Sequence, residues 1–301
     1  YKKGFLALDS GTRQGNTDNL QNYFAQTVAH NCILIKMPAE PPSPYWNGEV
    51  FGQAGGQNRT IGSKVIAFET GPHFTYVAGD ATPVYSEEKC ERIVRQLVFI
   101  PPNHFSVFDR VSTTRAEYSK CWLLHHANEP VVEGKAWFSD QDRGRIFVRT
   151  LLPKDAILEK VGGPGKEFLA DGVNYAIDAG PSQFIKDRKY RIHRMEYDEV
   201  PELMGRWRME VRTGSAREEN DFLHLIQVGD QTLEAMGEVQ AQTTGDRVEV
   251  RFNAEGRDLV LSFATSGEIG GQIRICENGQ ALVDRELTRE VMPQSGLASL
   301  Q

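Results

Sequence analysis

The feature that most constrains the fold is a series of short apolar or alternating runs along the whole chain, such as KVIAFET, RIFVRTLL and RVEVRF. These runs are rich in Val, Ile, Phe, Tyr and Trp, and each is bounded by Gly, Pro, Asn or Asp. Runs of about four to eight residues with these boundaries predict β-strands. Their regular spacing is typical of stacked antiparallel sheets. The sequence therefore predicts an all-β protein.

Two turns and one ambiguous segment refine this prediction. The stretches NAEGRD and CENGQAL are expected to be hairpin turns, and the second contains Asn-Gly, which suits a turn that needs positive φ. Residues 86–98 could form a helix capped by Ser86 or a strand that continues into RQLVFI. We favour the strand.

The length of 301 residues suggests one large or two medium domains. Near residues 153–166 the composition shifts from strand-like to rich in Gly, Pro and Lys. We therefore predict a large antiparallel β-sandwich over residues 1–155, followed by a smaller β-sandwich or sheet domain over residues 156–301.

Charge and composition exclude several classes of protein. A net charge of −7 gives no indication of a nucleic-acid partner, and no apolar run is long enough for a membrane-spanning helix. The chain starts at Tyr1 and not at methionine, so missing targeting signals carry little weight. The four cysteines are far apart and are expected to be buried thiols, with one disulfide as the alternative in an exported protein: Cys32, Cys90, Cys121 and Cys276.

An acid and an imidazole form the candidate site. Asp9 ends the apolar run GFLAL, and His30 begins the next one, NCILIKM. If the two runs pair, both side chains lie at one end of a sheet, where they could supply two ligands to zinc. The alternative is a turn aspartate and a histidine bonded to backbone, which the residues alone favour. His125 and His126 are adjacent in a predicted strand, so they should point to opposite faces and not chelate one metal.

Nine motifs give the chain a family resemblance. In chain order they are LALDSGT, NYFAQTVAHNCILI, GGQ, FTYVAGDATPVYS, RQLVFIPPNHFSVFDRV, WLLHHANEPVVEG, VGGPGKEFLADGVNY, GRWRMEVRT and FLHLIQVGD. Together they resemble the C-terminal β-part of heparinase II/III-like polysaccharide lyases, heparinase II most closely. The resemblance implies β-sandwich sheets that, in the family, follow an N-terminal α/α toroid. This chain has no helical segment of that kind, so we expect the toroid elsewhere in the same protein.

The resemblance also implies a metal site. The Asp of the LDSG motif and the His of the AHN motif bind a structural zinc in the family, and they match Asp9 and His30. The third protein ligand lies on a His-x-His-x-Asp segment, which we expect upstream of Tyr1.

The implied activity is β-elimination on a uronic-acid-containing, glycosaminoglycan-like polysaccharide, with the catalytic residues also expected upstream of Tyr1. Relatives carry a tyrosine in the loop between the two zinc ligands, whereas SGTRQGNTDNLQ has none. Arg13 in that loop could pair with a uronate carboxylate or sulfate, or could simply be solvated.

The resemblance implies an acidic polysaccharide partner, a secreted or periplasmic location, and a homodimer as a further option, with no nucleic-acid or membrane partner. The missing tyrosine keeps a second hypothesis open, a non-catalytic carbohydrate-binding or structural β-sandwich module. An adhesin-like surface domain is a third.

Overall fold

A computed structural model of the chain describes residues 2–10, 19–40, 54–57, 62–176 and 205–292. Nearly all regular structure in these ranges is β, and the helical elements are three short turns: Leu20–Phe24, Thr27–Ala29 and Thr82–Val84. Within the described ranges, no helix has the length and apolar character required to cross a membrane. The predicted all-β class is confirmed.

The strands, in chain order, are β1 (Ile33–Lys36), β2 (Lys64–Thr70), β3 (Thr75–Asp80), β4 (Cys90–Ile100), β5 (His104–Thr113), β6 (Ser119–His126), β7 (Val131–Glu133), β8 (Ala136–Gln141), β9 (Gly144–Leu152), β10 (Ile157–Gly162), β11 (Leu169–Ala170), β12 (Val173–Asn174), β13 (Trp207–Arg212), β14 (Glu219–Asp230), β15 (Val239–Thr244), β16 (Arg247–Ala254), β17 (Arg257–Ala264), β18 (Gly271–Glu277) and β19 (Gln280–Glu286).

These strands form three main sheets. A four-stranded sheet has the order β1-β6-β13-β10, an eight-stranded sheet has the order β2-β3-β4-β5-β14-β9-β8-β7, and a five-stranded sheet runs in sequence from β15 to β19. A small hairpin, β11-β12, completes the set. Each pairing of neighbouring strands in these sheets is antiparallel, for example β4 with β5 and β14 with β5.

The eight-stranded sheet is the middle layer, because side chains alternate between its two faces. On β5, Val107 and Val111 pack with Trp122 of the four-stranded sheet. Phe108, which lies between them in the sequence, packs on the other face against Phe263 of the five-stranded sheet, with ring centroids 4.9 Å apart. Two apolar cores therefore hold three sheets in a stack.

The structure decides three of the sequence predictions. Residues 90–98 of the segment 86–98 belong to β4 and residues 86–89 form the turn before it, so the strand interpretation is right and the helix alternative is wrong. The run GFLAL forms no strand of its own: only Leu8 makes an isolated bridge, to His125. All four cysteines are free thiols, and Cys90 and Cys121 are buried.

The division into residues 1–155 and 156–301 stays a prediction. Two strands that follow the boundary, β13 and β14, pair inside the four-stranded and eight-stranded sheets. The five-stranded sheet is built from residues 239–286 alone.

Candidate functional site

Asp9 and His30 meet at one end of β6. His30 Nδ1 lies 2.8 Å from Asp9 Oδ1, and the two side chains are 32% and 52% exposed, respectively. The two predicted strands do not pair with each other. Instead, Leu8 bridges His125 at the end of β6. The strand that starts after His30, β1, pairs over its whole length with the first half of β6. The expected meeting of the two residues at one sheet end therefore occurs, with β6 between the two segments.

Asn31 fixes these two segments to each other. Its amide Nδ2 donates to Leu8 O over 3.0 Å, and its Oδ1 accepts the backbone N–H of His125 over 2.9 Å. Both contacts are to backbone groups of known polarity, so they assign the orientation of the amide. One side chain thereby fixes the backbone beside Asp9 to the backbone beside His30.

His125 lies beneath this contact and is fully buried. Its ring places Nδ1 3.0 Å from Asn31 Oδ1 and Nε2 3.1 Å from Val28 O. Burial lowers the pKa of His125 well below its usual range, and the positive charge of Arg208 acts in the same direction. The ring is therefore neutral and donates to only one of the two oxygens. His126 points to the opposite face, as its position in the strand predicts, and contacts Leu6 O and Trp137.

A charged pair in the middle layer supports the same loop. Arg95 on β4 binds Asp109 on β5 in a forked geometry, with distances of 2.6 and 3.1 Å. The second terminal nitrogen of Arg95 donates to Asn31 O over 2.7 Å. The backbone that follows His30 is therefore anchored to the interior of the eight-stranded sheet.

The chain after Asp9 is also fixed. Ser10 is fully buried, and its hydroxyl donates to Gly205 O over 2.8 Å, next to the start of β13. A Cβ at position 205 would collide with Ser10 Oγ, so glycine is needed for this close approach. Asp9 is thus bounded on both sides by backbone with fixed hydrogen bonds.

The donor set is consistent with part of a zinc site. Asp9 and His30 supply an oxygen and a nitrogen, which are ordinary zinc ligands, and a tetrahedral ion needs further ligands. The same two atoms now contact each other directly. In the described ranges, no group of three or more His, Cys, Asp or Glu residues could hold a metal ion. Arg13, the predicted substrate contact, lies outside the described residues.

Sequence reasoning singled out Asp9 and His30 but missed the residues that hold them. The dipeptide His30-Asn31 and the pair His125-His126 are visible in the sequence, yet their joint role requires β6 to lie between two distant segments. That arrangement follows from strand order, which the local pattern does not contain.

Comparisons with known proteins support the fold. No family model matches the chain, and no curated protein matches it. Among solved structures, a heparinase III, the BT4657 gene product, has a TM-score of 0.53 and 13% identity, covering 86% of this chain and 34% of its own. A heparan sulfate lyase, HepC from Pedobacter heparinus, has a TM-score of 0.47 and 13% identity, covering 94% and 34%.

The heparinase III likeness shows a heparinase-like β-sandwich fold, and at 13% identity it shows the fold alone. It gives no support to heparinase II over heparinase III. The HepC likeness is too low in TM-score to carry an argument. The chain spans about a third of the length of both structures.

Proposed function

We propose that this chain is the β-sheet part of a polysaccharide lyase that cleaves a uronic-acid-containing, glycosaminoglycan-like polysaccharide by β-elimination. The observation that carries the proposal is the contact between Asp9 and His30, 2.8 Å apart and held by the Asn31 amide. The shared fold with a heparinase III supports it. The proposed location is secreted or periplasmic.

In this proposal Asp9 and His30 are two ligands of a structural zinc, which would fix the loop between them to the end of β6. Little rearrangement is required, because the two donor atoms are already neighbours and both flanking backbone segments are anchored. The third ligand is expected from residues upstream of Tyr1.

The chemistry of β-elimination requires three functions at the uronate. The carboxylate must be neutralised, a base must remove the C5 proton, and an acid must protonate the leaving O4 oxygen. We assign the base and the acid to residues upstream of Tyr1, and propose an N-terminal toroid of the same protein as the other wall of the cleft. Arg13 is proposed to pair with the substrate carboxylate or a sulfate, because its planar fork matches such groups.

Zinc content tests the metal proposal. The full-length protein, purified without chelator, should contain about one zinc per chain by mass spectrometry of the metal, and Asp9→Ala should lose most of it. Glu88→Ala is the matched control, because Glu88 is an exposed carboxylate on a turn before β4. Unchanged zinc in Asp9→Ala would show that Asp9 is not a ligand.

Activity tests the lyase proposal. The full-length protein should release unsaturated product, which absorbs in the ultraviolet, from at least one of heparan sulfate, chondroitin sulfate, hyaluronan and alginate. The 301-residue chain alone should release none. Binding of these polymers with no product from the full-length protein would favour the alternative, a non-catalytic carbohydrate-binding module. Rapid product formation by the isolated chain would contradict the assignment of the catalytic residues.

A further inference from the structure

A polar cleft opens between the eight-stranded and five-stranded sheets. Its volume is about 620 Å³, within the range of roughly 300–1,000 Å³ that is usual for small-molecule sites. One wall is formed by β4, β5 and β14, and the other by the turns 245–246 and 265–267 of the five-stranded sheet. A smaller recess of about 320 Å³ shares Arg92, Arg110 and Gly267 with it. This cleft is distinct from the Asp9–His30 site.

The cleft lies where the apolar core between these two sheets stops. Along β5, Phe108 faces the five-stranded sheet and packs in the core, and Arg110 and Ser112 follow on the same face. In the neighbouring strand, Asp221 lies directly opposite Arg110. Polar side chains therefore occupy positions where a continuous sandwich core would place apolar ones. The end of a sheet does not by itself require a buried arginine, so the position of Arg110 indicates a function for this polar face.

Two arginines lie beside each other in the cleft, and among the described residues neither has a carboxylate oxygen within ion-pair distance. Arg110 is only 4% exposed, and one of its terminal nitrogens donates to Gly267 O and Glu268 O over 3.0 and 3.3 Å. Within the described residues, neither Arg110 nor the exposed Arg92 forms an ion pair. Burial lowers the pKa of Arg110 and the positive charge of Arg92 lowers it further, whereas the carboxyl groups of Asp221 and Glu219 raise it. A bound anion placed between the two guanidinium groups would offset the repulsion between them.

The other side chains that line the cleft limit the chemical class of ligand that it could bind. Glu219, Asp221 and Asp246 supply carboxyl oxygens that accept hydrogen bonds, and Thr265 and Ser266 supply hydroxyls. A bare anion would be attracted by the arginines but repelled by the carboxylates. A metal cation would be attracted by the carboxylates but repelled by the arginines. A sugar with an acid group satisfies both, because its hydroxyls donate to carboxylates while its acid group accepts from guanidinium.

We propose that this cleft binds one carboxylate- or sulfate-bearing sugar unit, with Arg92 and Arg110 on the acid group and Asp221 accepting from a sugar hydroxyl. The anion-binding part rests on the geometry, and the choice of a sugar rests partly on the proposed function. Arg92 and Asn31 lie on opposite sides of the middle sheet: Arg95, which contacts Asn31, shares its face with Ile93, whereas Arg92 shares its cleft with Arg110. The site is therefore an additional contact for an acidic glycan.

The test uses the full-length protein and ligand-observed NMR with D-glucuronate, with D-glucose as the neutral probe and sodium sulfate as the competitor. We expect glucuronate to bind, glucose to bind at least tenfold more weakly, and sulfate to displace glucuronate. Arg92→Gln should weaken the binding of glucuronate that sulfate displaces by at least fivefold. Arg143→Gln is the matched control, because Arg143 is an exposed arginine in the β8–β9 turn without a side-chain ion pair in the described residues.

Glucuronate binding that is equal in Arg92→Gln and the unmodified protein would overturn the inference, and so would an equal loss in Arg143→Gln. Its failure differs from failure of the proposed function. If the protein has no lyase activity but its glucuronate binding depends on Arg92, this inference holds and the proposed function fails. If the protein is a lyase but its glucuronate binding does not depend on Arg92, the proposed function holds and this inference fails.

Discussion

Asn31 connects three parts of the fold that are far apart in the sequence. Its amide bonds Leu8 O and the His125 N–H, and its own carbonyl accepts from Arg95. An amide is suited to this position because it offers a donor and an acceptor at once, whereas aspartate offers only acceptors. Replacing it removes two backbone partners at a partly buried site, and each unsatisfied group costs free energy.

We expect Asn31→Ala to lower the free energy of unfolding by about 1–3 kcal/mol. Urea denaturation of the 301-residue chain measures this difference. Asn128→Ala is the control, because Asn128 donates to Asp140 O from an exposed position and should cost less than about 1 kcal/mol. Equal losses in the two variants would mean that Asn31 is an ordinary surface contact.

Asp221 makes the stability of the fold depend on pH in a known direction. Burial raises its pKa to about 7, the charge of Arg110 opposes this, and Glu219 adds to it. Asp246 and Arg92 also line the same cleft. Since the folded state holds a proton that the unfolded chain releases, this carboxyl lowers stability as the pH rises from about 4 to about 7, and its contribution is constant above.

We therefore expect Asp221→Asn to be more stable than the unmodified chain at pH 8 by about 1–2 kcal/mol, and the advantage to disappear near pH 4. The gain is limited because the side chain is partly exposed to water, which screens its charge. Urea denaturation at the two pH values measures the difference between the variants, which cancels other titrating groups. A gain that is equal at both pH values would contradict the assignment.

At the scale of elements, the sequence predicts strands well and their neighbours poorly. Runs such as RVEVRF and KVIAFET became β16 and β2 because alternation and bounding turn residues are local properties. GFLAL has the same appearance but forms only one bridge in the described residues, from Leu8 to His125 at the end of β6. The Asp9–His30 contact was anticipated, whereas Asn31, His125 and the Arg92–Arg110 cleft depend on non-local strand order.

The β18–β19 hairpin shows how local this information is. Asn278 and Gly279 have φ angles of 51° and 80°, as an Asn-Gly turn requires. Gly279→Ala should cost about 1 kcal/mol, because a Cβ there meets no atom within 4 Å and only the backbone conformation is penalised. Gly62→Ala, also unobstructed but without a positive φ, is the control and should be neutral or slightly stabilising in thermal denaturation. An equal cost at both positions would contradict the turn assignment.

At the scale of the whole molecule, the stack of three sheets bears on the predicted division of the chain. The eight-stranded sheet buries one face against the five-stranded sheet through contacts such as Phe108 with Phe263. If this interface is as extensive as an ordinary core, the two sheets should unfold together. If residues 156–301 hold an independent domain, part of the chain should unfold separately.

Phe263→Ala separates these outcomes, and it should lower the free energy of unfolding by about 3–5 kcal/mol, since it removes a fully buried ring. The five-stranded sheet contains no tryptophan, whereas Trp122, Trp137 and Trp207 lie in the other two main sheets. The fourth tryptophan, Trp46, lies outside the described residues and is replaced by phenylalanine in both proteins compared. Tryptophan fluorescence then reports on those two sheets, and far-ultraviolet circular dichroism reports on all three. We expect both signals to shift to lower urea by the same amount, because the ring belongs to a core shared by two sheets. A shift in circular dichroism with unchanged fluorescence would instead show that the five-stranded sheet unfolds on its own.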